Sequence, residues 1–159
     1  RREFDIDGNA RRFNRRAAIK GLRIKVLRKE CACRERSLIL VYNAGKLAKR
    51  LSEPETRGLL REYGYTDDMT IEQCLERLSE RTSCEDFPHE IGLFLDYPVE
   101  DVRGFVENGG CNYKLCGCWK VYGCVESARR KFAAYDRCRE YLCGRLEQGE
   151  DIYRALKIS

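Results

Sequence analysis

The sequence predicts an α+β domain, and three observations predict it. Two early stretches read as strands: Leu22, Ile24 and Val26 alternate with Arg23 and Lys25, and Leu38–Tyr42 is apolar throughout. Several later stretches carry helix-start signals followed by apolar residues at helical spacing. The chain has 159 residues, of which 43% are hydrophobic and 36% charged, enough for one globular core over residues 1–159. The expected arrangement is a two-layer domain. About four strands form a mixed or antiparallel sheet, with helices mainly on one face.

Residues 1–8 are polar and are expected to fray. Asn9 is a suitable cap for a helix to about Lys20, with Ala10, Phe13, Ala17 and Ala18 on one side and Gly21 at its end. The strand of residues 22–28 follows, then a charged loop at 29–36 that contains Cys31 and Cys33. The strand at 37–43 is apolar on both faces, which predicts a central position covered on both sides or nearly so. The short connection makes the pair an antiparallel hairpin.

Lys46–Leu51 reads as a short helix. Ser52-Glu53-Pro54-Glu55 and Thr70-Ile71-Glu72-Gln73 read as capping boxes for the next two. Ile71, Cys74, Leu75 and Leu78 form the buried stripe of the second of these. Residues 90–96 read as a third strand. Pro98 opens a helix with Val99, Val102, Phe105 and Val106 inward, closed by Gly109-Gly110. Residues 118–122 read as a fourth strand. A long helix runs from about Val125 to Gln148, with Ala128, Phe132, Tyr135, Leu142 and Leu146 on one face. Gly149 caps it, and Ile152–Lys157 forms a last short helix.

Charge is unevenly spread. Residues 1–29 hold eleven Lys or Arg against three acids, a net +8, which leaves −3 of the chain's +5 for the remainder. Arg11, Arg12, Arg15, Arg16, Arg23 and Lys25 could therefore meet an anionic polymer. A solvated helix and sheet edge explain the same residues without a nucleic-acid partner, and that plainer reading is preferred. No apolar run reaches the roughly 18 residues of a membrane span. Ten Cys without CxxC framework spacing suit free thiols in a reducing, cytoplasmic setting.

Residues 87–122 concentrate the candidate chemistry: the single His, the single Trp, two of three Pro and three of ten Cys. The strings FPHEIGLFLDYP, DVRGF and CGCWKVYG resemble a bacterial family, the domain-of-unknown-function family 3793. Its pattern is FPHEIG-x-FLGYP-xx-DV-x-GF followed by CG-x-WKVY, and the likeness covers roughly residues 10–150. The resemblance implies no activity. Asp96 stands where the family pattern has Gly, and Cys118 where it has an aromatic residue. The family's N-terminal Cys-Pro and Lys-Pro segment has no counterpart.

Cys111, Cys116, Cys118 and Cys124 could together bind zinc or an iron–sulfur centre, with glycines letting the loop curl. Cycling through a disulfide or separate burial of the thiols are the alternatives, burial being the plainer reading of the spacing, and Cys111 and Cys116 are expected to be accessible with Cys118 or Cys124 partly buried. His89 with Cys116 could form a nucleophile pair. On a strand, however, His89 would share the apolar face of Ile91, Leu93 and Leu95, with Glu90 pointing away. His89, Glu90, Asp101, Trp119, Lys120 and Tyr122 are the candidates for a binding surface. For Asp101 the plainer role is to complement its helix dipole. On the fourth strand, Trp119 and Val121 are expected inward, and Lys120 and Tyr122 outward. No phosphate loop, dinucleotide fingerprint, HExxH or GxSxG occurs. Three classes stay open: a thiol- or metal-linked binding or regulatory protein with a protein partner, a nucleic-acid-associated protein, and a Cys–His enzyme. The first is favoured.

Overall fold

Asp5, not Asn9, starts the first helix. In α1 (Ile6–Ala17) the Asp5 Oδ1 accepts from the Gly8 amide at 2.8 Å, so the helix begins one residue after an equally good capping side chain. Phe13 and Ala17 are its buried residues. A 3-10 turn, Ala18–Lys20, ends at Gly21 with φ +68°. The structure, a computed structural model, describes residues 5–28, 37–82 and 87–158. It divides into two compact units, Arg1–Asp96 and Tyr97–Ser159.

In the first unit, β1 (Leu22–Arg28) pairs antiparallel with β2 (Leu38–Asn43) in the register Ile24–Val41 and Val26–Ile39, with a bulge between Val26 and Arg28. The loop bearing Cys31 and Cys33 lies outside the described residues. The Asn14 side chain closes the outer edge of β1: its Nδ2 donates to the Ile24 carbonyl at 2.9 Å and its Oδ1 accepts from the Ile24 amide at 2.6 Å. After β2 come α2 (Ala44–Ser52), α3 (Pro54–Glu62) and α4 (Ile71–Thr82). The Ser79 and Thr82 hydroxyls of α4 donate to the Leu27 carbonyl, and Lys25 pairs with Glu76. Leu40 is buried in β2, whereas Ile39 and Val41 are 45% and 52% exposed. Among the described residues, the central strand expected from its apolar sequence is thus a strand paired on one side and covered on one face.

The second capping box forms as read: the Thr70 amide donates to Gln73 Oε1 at 2.8 Å and the Gln73 amide to Thr70 Oγ1 at 3.2 Å. The first does not. Ser52 is the last residue of α2 and its hydroxyl donates back to the Lys49 carbonyl at 2.7 Å, so α3 starts at Pro54 without a side-chain cap.

The expected strand at 90–96 is a helical turn, α5 (Ile91–Phe94). The Gly92 amide donates to the His89 carbonyl at 3.2 Å and the Leu93 amide to the Glu90 carbonyl at 2.9 Å. A short apolar run does not fix its own period, and here consecutive residues, Gly92, Leu93 and Phe94, are buried together. Asp96 follows with φ +63°.

The second unit holds α6 (Val99–Glu107), β3 (Leu115–Cys116), β4 (Lys120–Val121), α7 (Val125–Glu147) and α8 (Ile152–Ala155). The expected fourth strand shrinks to the two residues of β4, which pair with β3 across a local turn at Gly117, Cys118 and Trp119. Among the described residues the strands form two separate two-stranded antiparallel sheets, not one four-stranded sheet. Trp119, Val121 and Ala128 form the core here, packed by Tyr97, Leu115, Val125 and Phe132. Over the 23 residues of α7 only Ala128 is buried, and Tyr135 and Leu146 of the expected inward stripe are 37% and 43% exposed. Among the described residues no helix is long and apolar enough to cross a membrane.

Candidate functional site

Among the described residues each unit contains one buried carboxylate, and each belongs to the stretch that sequence reading singled out. In the first unit Glu90 is fully buried. Its Oε1 accepts from the Arg81 guanidinium and, at 3.2 Å, from the Tyr65 hydroxyl, while its Oε2 lies 3.3 Å from Arg81 Nη2. The Glu90 side chain holds the Arg81 guanidinium above its ordinary pKa. Burial first, then the Glu90 charge, pushes the Tyr65 phenol far above the usual tyrosine range. Arg81 also lies over the Tyr63 ring, 5.2 Å from its centroid. His89 is the exposed neighbour. The expectation of an inward His89 and an outward Glu90 is therefore reversed, because a helical turn does not alternate as a strand does. Sequence reading missed Arg81 and Tyr65. They reach Glu90 from 9 and 25 residues away, and no local pattern announces them.

In the second unit Asp101 is 2% exposed. Its Oδ2 accepts from the Trp119 indole at 2.7 Å, and its Oδ1 accepts from the amides of Tyr122 at 2.7 Å and Gly123 at 2.8 Å. The carboxylate on α6 thus ties down the turn and strand that hold the CGCWKVYG string. Tyr97 stacks on Trp119 with centroids 4.5 Å apart, and Phe132 meets it edge-on at the same distance. Two glycines are required by close approach. A Cβ at Gly117 would enter the Phe132 ring, and one at Gly104 would meet Tyr122.

Lys120 and Tyr122 secure the adjoining turn. Lys120 Nζ donates to the Gly110 carbonyl at 2.6 Å and sits 4.9 Å from the Tyr113 ring centroid. The Tyr122 hydroxyl donates to the Cys111 carbonyl at 2.8 Å. Of the six surface candidates, then, Glu90, Asp101 and Trp119 are buried and bonded internally, while Lys120 and Tyr122 are half-buried with their polar ends engaged.

What this scaffold presents is sulfur. Cys111, Cys116, Cys118 and Cys124 are all free and exposed, which corrects the expectation that Cys118 or Cys124 is partly buried. Trp119 and Val121 take the inward places, and the turn carries Cys118 outward. Among the described residues no three His, Cys, Asp or Glu side chains are grouped to hold a metal ion. The four-thiol zinc or iron–sulfur arrangement is thus not assembled in this conformation. His89 belongs to the first unit and Cys116 to the second, so neither unit contains both members of the nucleophile pair.

The basic residues divide likewise. Arg11, Arg12, Arg15 and Arg16 are exposed on α1. Lys25 is paired with Glu76, and Arg23 donates to the Asn14 carbonyl at 3.1 Å. A cavity of about 110 Å³ in the first unit is lined by Leu51, Arg57, Leu60, Tyr65, Asp67 and Cys74 among others, and by none of the candidates above. Burial pushes the Cys74 thiol above its ordinary pKa.

Fold and site together describe a small, helix-rich α+β protein with two internally bonded acids and a thiol-bearing turn. The chain belongs to the family described as protein of unknown function DUF3793, whose model matches residues 3–156. No curated protein and no solved structure shows significant similarity to it.

Proposed function

We propose that the chain is a binding or regulatory protein whose reactive group is the set of four exposed thiols at residues 111–124, within a second unit whose α7 carries two further exposed thiols, Cys138 and Cys143. The observation that supports this is the Asp101 scaffold: one buried carboxylate fixes Trp119, Tyr122 and Gly123, and four thiols reach solvent around them. Cysteine is among the residues most often buried, so four exposed within residues 111–124 call for a use. Thiol–disulfide exchange needs one accessible thiolate at a time and suits the arrangement as it stands. Soft-metal binding needs three or four sulfurs to converge, so the loop would have to move. A reducing cytoplasm is the setting in which such thiols stay free.

The test is exchange with glutathione disulfide. A loop thiolate attacks one sulfur of the disulfide, forms a mixed disulfide and releases one glutathione thiolate; added thiol reverses the reaction. The native protein should form the adduct at positions 111–124 faster than at the exposed helix thiols Cys138 and Cys143, seen by peptide mass, while Cys74 reacts only after unfolding. Loop thiols that resist both exchange and alkylation until denaturation would sink the proposal. A parallel titration with zinc, followed by elemental analysis of wild type and Cys116→Ser, separates exchange from metal uptake.

The four exposed arginines of α1 favour a second reading, an anionic polymer as partner. Binding to duplex or single-stranded nucleic acid that weakens steeply with salt, and is lost on changing Arg11, Arg12, Arg15 and Arg16 to Gln, would support it. No binding at low salt would remove it.

A further inference from the structure

The two edges of the β1–β2 hairpin are treated differently. In an antiparallel pair, each residue points its amide and carbonyl to one edge, and alternate residues point to opposite edges. Both polar groups of Ile24 are taken by Asn14, so Ile24 faces the outer edge of β1 and Ile24–Val41 is a non-hydrogen-bonded pair. Val41, and Ile39 two residues before it, therefore turn their amides and carbonyls to the outer edge of β2. Among the described residues nothing bonds to them there, whereas the β1 edge is closed. The same two residues have side chains 45% and 52% exposed. Residues 37–43, SLILVYN, contain no charge and no Pro, the usual devices that protect an edge.

We infer that this edge pairs with the same edge of a second copy of the chain, in antiparallel register about a two-fold axis at Leu40. The strand is complementary to itself in that register. Ile39 faces Val41 of the other copy, Leu38 faces Tyr42, and Leu40 faces Leu40, so the central cross-strand pairs join apolar or aromatic residues, with polar Ser37 facing Asn43 at each end. The outward residues are the ones that become hydrogen-bonded pairs: Ile39 and Val41 of each copy exchange both backbone bonds with Val41 and Ile39 of the other. Charge permits it. The copies each carry +5, but the strand is neutral, and Lys25 of one copy lies three strand spacings from Lys25 of the other. Three spacings are about 14 Å, beyond the screening length of roughly 8–10 Å at physiological salt. The product is a four-stranded sheet, β1-β2-β2-β1, shared by two chains. A two-stranded ribbon has little stability by itself, so the gain is physical as well as topological.

Sedimentation velocity of the full chain over a concentration series tests this, with hydrogen exchange on the same samples. The mass should rise with concentration from 18.6 kDa toward twice that value. The amides of Ile39 and Val41 should slow in step with it, and the Leu40 amide, already bonded to β1, should change less. Val41→Lys and Ile39→Lys place charge on exposed positions of the edge. Each should keep the wild-type circular dichroism and abolish the association. A chain that stays monomeric throughout overturns the inference. So does a dimer unaffected by both lysine variants, or one in which Ile39 and Val41 exchange at the monomer's rate. A monomer that instead captures an extended peptide at this edge would overturn self-pairing too.

Discussion

Glu90 and Asp101 lie 11 residues apart in sequence, are both buried, and are held in different ways. Glu90 is neutralised by a charge: its main partner is Arg81, brought by α4, with the Tyr65 hydroxyl in support. Asp101 has no cationic partner among its bonds. It is satisfied by an indole N–H and two backbone amides. The first acid joins helices distant in sequence. The second fixes a loop, so its removal should be felt by the thiols and not only by the core.

Replacing Asp101 should have the largest effect. Asp101→Ala leaves the Trp119 indole and the Tyr122 and Gly123 amides without acceptors, each worth about 1–3 kcal/mol when buried, so the loss should be roughly 3–5 kcal/mol. Trp119 is the only tryptophan, so its fluorescence in denaturant reports this unit. Asp101→Asn sharpens the comparison. It can keep its oxygen on the two amides, but its NH2 then faces the indole N–H. Adding Trp119→Phe removes that conflict, and the cycle should show a favourable coupling of about 1 kcal/mol. Additive effects would mean that the carboxylate is not holding the indole.

Glu90→Gln should cost less, about 2 kcal/mol. The geometry survives, but a third-exposed Arg81 loses its countercharge, and water offsets part of the loss. Unlike Asp101→Asn, it should leave the alkylation rates of Cys111, Cys116, Cys118 and Cys124 unchanged. Faster loop alkylation in Glu90→Gln would remove the proposed division of labour.

Tyr65 supplies a pH signature for the first unit only. Its phenol is held well above the ordinary value by burial and by Glu90, so the folded state keeps a proton that the unfolded state releases above about pH 10. The stabilisation is complete below that pH and is lost as pH rises, at about 1.4 kcal/mol per pH unit. Denaturant melts between pH 9 and 12 should show the slope, and Tyr65→Phe should flatten it. A slope unaltered by Tyr65→Phe would contradict the assignment.

How much of this was legible from the residues varies with range. The β1–β2 hairpin, the Thr70–Gln73 box and the extent of the Pro98 helix rest on local chemistry, and the sequence predicts them correctly; the inward face of that helix it predicts only in part, since Val102 is buried but Val106 is 42% exposed. The turn at 90–96 reads as a strand because Ile91, Leu93 and Leu95 alternate, while the deciding contact is Glu90 with Arg81 and Tyr65. That burial depends on helices whose packing the local pattern does not encode. Thiol exposure was half legible. Trp119 and Val121 inward follow from alternation, but the outward turn of Cys118 depends on the close approach of Gly117 to Phe132.

The smallest expected effect concerns Asp96, the last residue of the first unit. Its φ of +63° lies in the left-handed region, which costs a residue with a Cβ roughly 1–2 kcal/mol and Asp somewhat less. Its carboxylate is 3.6 Å from the Arg50 Nε and 63% exposed, so that ion pair adds little. Asp96→Gly removes the steric cost but gives the unfolded chain more freedom, which returns part of the gain. The net should be a stabilisation of about 0.5 kcal/mol. Asp96→Asn should be neutral, since Asn also tolerates this conformation, and Asp96→Ala should lose about 1 kcal/mol. The order of the three variants is the test, because it is set by backbone conformation and is indifferent to charge. If Ala proves as stable as Gly in denaturant melts at two salt concentrations, the turn at 96 is not left-handed in solution.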